Sequence, residues 1–458
     1  MKYLVAFVCL ISSALFISTV SSKGQTVGPS IGGSNSYYGG SLSNLTPNNL
    51  KFWRRALAIA RAQTCSSSPC TVGSTGVYGP RPLVVFLGDS QTAGLGAGTS
   101  TGCAIGGACN AYAQGPVASF AAATSAASGV NANFNGIFGT SLVEGVLCPS
   151  PAPRTCYPQF DSRVTFGTGW QTGTSSLGGG MFQCNGCTGA SPLTFVPKNL
   201  KFDTVNVLYP IYNAGGTTDI TINVDGSPLG SCTALNENNT TQSLQLLTCA
   251  NVPDIVHTNI TVTANSSGGS DGAFVDAVWA YDSTVPGVDV FQATMFGTGA
   301  AYPTPAPGLV NYATAVDPWD SLNTLAKLAP TLTVISLDGA DVVNNASLTT
   351  YQTNLSAIVN TALCGFSSCS GHAQTGDVLL VLGPLANAAN FLSGLYASYD
   401  YIVYQIAQQN NLPVLDMRKR WISYANINPV FPFVDAVHPG TLGAKDYGLA
   451  FYEALLNP

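Results

Sequence analysis

Residues 82–90 read PLVVFLGDS, and this stretch decides the fold. Five apolar residues in an unbroken run, Leu83 to Leu87, suit a strand buried on both faces, as parallel sheets require. The run stops at Gly88-Asp89-Ser90, so a serine falls just past the carboxyl end of a strand. Open α/β sheets bind their ligands at that edge. Asp89 reads as a cap for whatever helix follows.

Similar short runs recur later, at residues 332–337, 378–382 and 413–416. Between and around them, residues 50–63, 318–328, 395–410 and 443–456 read as helices. Strands alternating with helices imply a three-layer α/β sandwich around a parallel sheet. Residues 287–297 (GVDVFQATMFG) are expected to return the chain to that sheet after an interruption.

The interruption has a different period. Val205-Asn206-Val207, Ile220-Thr221-Ile222-Asn223-Val224 and Ile260-Thr261-Val262-Thr263 alternate with period two, and Asp225-Gly226 supplies a hairpin turn. An inserted antiparallel β-sandwich of jelly-roll type is expected there. Its aromatics Trp170, Tyr209, Tyr212 and Trp279 suit a strand core. The resulting order is a secretory signal at residues 1–22, a Gly/Ser-rich linker or arm at 23–45, a first α/β part at 46–159, the insert at 160–285 and a second α/β part at 286–458.

Lys2, the apolar run to Val20 and the small residues Ser21-Ser22 are the signal's parts, and they imply a secreted, cell-envelope or periplasmic location. No later segment is long and apolar enough to span a bilayer, so no membrane span is expected after cleavage. Cysteine usage agrees with export. With Cys9 removed, the rest fall into close neighbours: Cys65/Cys70, Cys103/Cys109, Cys148/Cys156, Cys184/Cys187, Cys232/Cys249 and Cys364/Cys369. Zinc at Cys184/Cys187 would need a second ligand pair at proper spacing, and none follows in a chain with three histidines. Neither a metal nor any other cofactor is expected. Only 8% of residues are charged and the formal net charge is −6, which argues against a nucleic-acid partner. Sequons at Asn44, Asn238, Asn239, Asn259, Asn265, Asn345 and Asn354 matter only in a host that glycosylates.

Near the other end, Asp435-Ala436-Val437-His438-Pro439-Gly440 places an acid three residues before a histidine in a turn. Asp435 can accept from one ring nitrogen of His438, leaving the other to take a proton from Ser90. His257, inside the insert, and His372, in a loop near Cys369, follow no strand of the parallel sheet and read as surface or structural residues.

FLGDSQTAG together with DAVHPGTLG resembles the first and last blocks of the SGNH (GDSL-like) hydrolase family, in that family's order. The resemblance covers roughly residues 82–145 and 289–458. It implies a flavodoxin-like α/β hydrolase and a serine esterase with Ser90 as nucleophile, His438 as base and Asp435 as its orienter. Asn135 to Ser141 (NGIFGTS) looks like the second block, which would make the N–H groups of Gly139 and Ser90 oxyanion donors. The third block, normally Gly-x-Asn-Asp, is Asp338-Gly339-Ala340-Asp341 here. Ala340 thus stands where an asparagine would donate to the oxyanion. A missing donor of this kind costs roughly 10²–10³ in turnover. Asn344 or Asn345 could reach back to replace it. The expected substrate is an acyl ester, short-chain or O-acetyl, on an acylated polysaccharide; the competing expectation is an SGNH-fold glycan-binding or surface protein of weak or no activity.

Overall fold

The computed structural model describes residues 35–37, 40–45, 49–64, 71–72, 81–98, 111–138, 157–173, 176–178, 180–187, 191–213, 216–267, 272–295, 299–301, 312–387 and 393–456. Gly139, the signal at 1–22 and Cys65, Cys70, Cys103, Cys109, Cys148 and Cys156 lie outside these residues.

The central sheet contains β1 (Asn35–Tyr37), β2 (Gly40–Ser43), β3 (Leu83–Gly88), β4 (Asn131–Asn133), β5 (Gly287–Thr294), β6 (Leu332–Ser336), β7 (Asp377–Leu382) and β8 (Val414–Asp416). Its order is β1-β2-β8-β7-β6-β3-β5-β4. All pairs from β8 to β4 are parallel, while β1 and β2 form an antiparallel hairpin on β8. Asn35–Tyr37 and Gly40–Ser43, within the segment read from sequence as linker or arm, thus extend the sheet. Backbone pairing at an edge needs no apolar signature, so a Gly/Ser-rich segment hides it.

Side chains alternate along each strand. Val85, Leu87, Phe291, Ala293, Ile335, Val378 and Leu380 face one apolar cluster; Val84, Phe86, Val288, Val290, Val334, Leu379 and Val381 face another. The second face is covered by α1 (Lys51–Ala62), α3 (Pro116–Ala127) and α9 (Thr441–Leu456), through Trp53 and Leu57, Val117 and Phe120, and Tyr447 and Phe451. The first is covered by α4 (Ser321–Leu328), α6 (Leu348–Cys364) and α7 (Ser393–Asn410). Each such fully buried Val, Leu, Ile or Phe contributes about 1.5–3 kcal/mol, so two covered faces explain the unbroken apolar runs. The short α2 (Ser90–Ala93), α5 (Gly339–Val343) and α8 (Met417–Trp421) lie just beyond the carboxyl ends of β3, β6 and β8. Helices α3 and α6 escaped the sequence reading: α3 is almost uniformly small and apolar (PVASFAAATSAA) and has no polar stripe.

The middle of the chain is antiparallel. One sheet orders Ser243–Cys249, Thr204–Ile211, Ala277–Tyr281 and Gly136–Phe138. Another includes Thr217–Val224, Ile260–Ser267, Leu193–Phe195 and Val164–Thr165. Val205, Val207 and Val278 of the first share an apolar cluster with Ile220, Ile222 and Val262 of the second. The opposite side of the first sheet sends Leu208, Trp279 and Phe138 into the core of the α/β layer. Trp170, Tyr209, Tyr212 and Trp279 are all buried, as expected. The stretch 136–138 differs from expectation: read as part of the hydrolase block, it pairs with Ala277–Tyr281. Three residues carry too little period to assign a sheet.

Three described cysteine pairs form disulfides as expected: Cys184–Cys187, Cys232–Cys249 and Cys364–Cys369. Among the described residues, no helix is long and apolar enough to cross a membrane.

Candidate active site

From β3 the chain runs to β4 and β5 on one side of it, then crosses to β6, β7 and β8 on the other. A crevice opens at such a switch point. Ser90 emerges there as the first residue of α2, and Asp89 caps that helix by accepting from the Gln91 N–H at 3.0 Å. Burial, reinforced by the nearby Asp338 carboxylate, pushes the Asp89 carboxyl up to about 6. The Ser90 N–H has no acceptor among the described residues.

The Asp435–His438 turn meets Ser90 from the other end of the chain. His438 Nε2 lies 2.8 Å from Ser90 Oγ, and His438 Nδ1 lies 2.7 Å from Asp435 Oδ2. The other oxygen of Asp435 accepts the N–H groups of Val437 and His438, both at 2.7 Å. Burial alone would raise the Asp435 carboxyl, but the His438 hydrogen bond and charge with these two amides outweigh it and lower it to about 2. An ionised Asp435 requires the proton on Nδ1, which leaves the Nε2 lone pair for the Ser90 hydroxyl. The dyad is accessible to solvent, with side-chain exposures of 14% for His438 and 52% for Asp435.

Several contacts hold that turn. Phe433 and Pro439 form an isolated antiparallel bridge, the Asn387 N–H donates to Ala436 O at 2.8 Å, and the Gly98 N–H donates to Thr441 Oγ1 at 2.9 Å.

The segment after β6 approaches the same point. A Cβ on Gly339 would lie 2.3 Å from Asp89 Oδ2, so the residue before Ala340 abuts the residue before Ser90. Arg418, buried on α8, pairs with Asp338 and Asp400, and its Nε donates to Gly383 O at 3.2 Å. The Gly383 N–H donates back to Asp338 Oδ1 at 3.1 Å. Asp341 is fully buried and accepts from the Ala300 and Ala301 N–H groups at 2.6 and 3.0 Å, joining the segment after β5 to that after β6. These structural roles of Arg418 and Asp341 were not apparent from sequence, because the partners lie 18 to 80 residues away.

Ala340 is buried and brings no side-chain donor. Asn344 donates its amide to Ala340 O at 2.8 Å, closing its own helix end, and Asn345 is exposed in the left-handed region at φ 51°. Neither makes a hydrogen bond to Ser90 or His438 among the described residues.

The other histidines stand apart from the triad. His257 is buried, its Nδ1 2.8 Å from Asp225 Oδ2 and its Nε2 facing the carbonyls of Pro253 and Phe202 at 2.9 and 3.1 Å. His372 is exposed and stacks on Phe366. The carboxylates of Asp203, Asp254 and Asp282 cluster, and the Lys201 ammonium bonds Asp254 and Asp282, each at 2.9 Å.

No family model matches the chain, and no curated protein matches its sequence. Solved structures do. A peptidoglycan O-acetylesterase aligns over 91% of this chain and 98% of its own, at 13% identity and TM-score 0.57. A family two carbohydrate esterase from Clostridium thermocellum, in complex with cellohexaose, aligns over 64% and 98% at 12% identity and TM-score 0.30. A carbohydrate acetylesterase from Sinorhizobium meliloti aligns over 37% and 79% at 14% identity and TM-score 0.28. The chain shares the fold of that peptidoglycan O-acetylesterase.

Proposed function

We propose that this chain is an exported serine esterase that removes short acyl groups, acetyl foremost, from a carbohydrate polymer. The observation that carries the reading is the unbroken hydrogen-bond line from Ser90 Oγ through His438 to Asp435, at 2.8 and 2.7 Å. Its place at the switch point of an esterase fold supports it, and the polysaccharide substrate rests on the carbohydrate-directed activity of the enzyme with the same fold.

In this reading Ser90 Oγ attacks the ester carbonyl carbon as its proton passes to His438 Nε2. The oxyanion is held by backbone donors, the Ser90 N–H and that of Gly139. The C–O bond to the alcohol breaks, and the departing alkoxide takes the proton from Nε2. Water then attacks the acyl-serine, again giving its proton to His438, and the carboxylic acid leaves with Ser90 restored. Asp435 stabilises the imidazolium formed in both steps.

The test is turnover of p-nitrophenyl esters from acetate to octanoate by disulfide-intact protein, beside Ser90→Ala. Activity strongest on acetate and abolished by the substitution is the expected result. Folded wild-type protein no faster than Ser90→Ala, and unlabelled by a fluorophosphonate, would overturn the reading.

A further inference from the structure

The residue after the nucleophile is a glutamine with an unusual set of partners. Gln91 is 5% exposed. Its Nε2 donates to Val437 O at 2.9 Å and to Pro384 O at 3.3 Å. Val437 immediately precedes His438, and Pro384 follows the carboxyl end of β7. Gln91 Oε1 lies 3.0 Å from where a Cβ on Gly383 would stand, so a glycine there leaves room for the amide. Both hydrogens of one buried –NH₂ group are committed to two carbonyls from separate segments.

We propose that Gln91 is a positioning residue that sets the Ser90–His438 distance. The proposal rests on the esterase reading above. Ser90 and Gln91 are consecutive on one helical turn, so the backbone that carries the attacking oxygen also carries the donor that grips the histidine turn. The remaining ties on that turn come from Asn387, from the Gly98 backbone five residues beyond the end of α2, and from the Phe433–Pro439 bridge. Among the described residues, Gln91 alone ties this turn to the helix that carries the nucleophile through a side-chain hydrogen bond other than that of the reacting pair. A buried carbonyl that loses its donor must find another by moving. Movement of Val437 carries His438 with it, and misplacement by about 1 Å costs roughly 10²-fold in rate.

Gln91→Leu removes both donors at similar volume, and Gln91→Glu keeps the shape while placing an acceptor against two carbonyls. The expected result for each is a kcat reduced roughly 10- to 100-fold on p-nitrophenyl acetate, with KM within about twofold and a thermal midpoint lowered by only a few degrees. A second readout does not depend on turnover. The Nδ1–H of His438 bonded to Asp435 gives a low-field proton resonance, identified by its loss in Asp435→Asn; that of His257 bonded to Asp225 reports the fold elsewhere. In the Gln91 variants the His438 resonance is expected to broaden or vanish while the His257 resonance persists. Wild-type kcat with an intact His438 resonance in both variants would overturn the proposal. So would losses that track a fall of the His257 resonance and the thermal midpoint. If wild-type protein has no turnover and no fluorophosphonate labelling, the esterase reading fails, and the two resonances still decide whether Gln91 holds the turn.

Discussion

Gly96 packs directly on His438. A Cβ built on Gly96 would lie 3.2 Å from His438 Cβ, 2.7 Å from Val434 Cγ2 and 2.9 Å from Pro439 O, and the residue's φ is +101°. The backbone of the serine segment therefore lies against the histidine turn here, with no room for a side chain. Gly96→Ala is expected to lower stability by about 1–3 kcal/mol from the strained dihedral alone. It is also expected to cut turnover at least tenfold by pushing His438 from Ser90. Denaturant unfolding and p-nitrophenyl acetate kinetics check both; a variant with unchanged activity would show that the turn can shift without disturbing the triad.

Restoring the missing side-chain donor is a gain-of-function test. Ala340 stands one residue beyond Gly339, which abuts Asp89. Ala340→Asn is expected to raise kcat on acetyl esters by roughly 10- to 100-fold, toward the usual worth of one oxyanion donor. KM should change little, because the donor acts on charge that develops only in the transition state. An unchanged kcat would mean that backbone donors already complete the oxyanion site.

Asp435→Asn should leave the fold intact and lower kcat by roughly 10⁴, the loss seen when the orienting carboxylate of such a triad becomes an amide. In the wild type the carboxyl is held at about 2. Its contribution to stability is therefore present above its unfolded value of 3.8 and lost as pH falls through about 2. Asp435 then adds no limb to the kcat/KM profile above about pH 3. A separate limb near pH 4 in the wild type that is missing from Asp435→Asn would contradict that assignment.

A buried carboxyl at the junction of the two layers gives the opposite pH dependence. Asp276 is fully buried; Oδ1 accepts from the Ser176 hydroxyl, and Oδ2 has no partner among the described residues. Ser176 O in turn accepts from Ser321 Oγ of α4 at 3.2 Å. Burial pushes the Asp276 carboxyl up to about 7 from 3.8. The folded state holds this proton where the unfolded chain has released it, so stability contributed below pH 3.8 is lost as pH rises to about 7. Asp276→Asn keeps an oxygen for Ser176 and cannot ionise. Its thermal midpoint is expected to fall less than the wild type's between pH 4 and 7, by the equivalent of a few kcal/mol at most. Parallel profiles would remove Asp276 from the account.

Much of the architecture was legible in order along the chain. Unbroken apolar runs marked β3, β6 and β7 because strands covered on both faces have no polar side to show. Period-two alternation marked the antiparallel middle, where some strands keep one wet face. The sequence also singled out Ser90, Asp435 and His438, which the fold brings into hydrogen-bond contact, since a serine at a strand's end and an acid three residues before a histidine are local patterns. What local pattern could not carry was decided by tertiary structure. The edge hairpin of Asn35–Tyr37 and Gly40–Ser43 is held by backbone pairing, which leaves no side-chain signature. The pairing of Gly136–Phe138 with Ala277–Tyr281 depends on a partner more than a hundred residues away. The Gln91 and Asp341 bonds join segments that meet only when the strands assemble side by side. Asn344 turned toward its own helix for the same reason: a short amide takes the nearest carbonyl, and which one is nearest is a property of the folded chain.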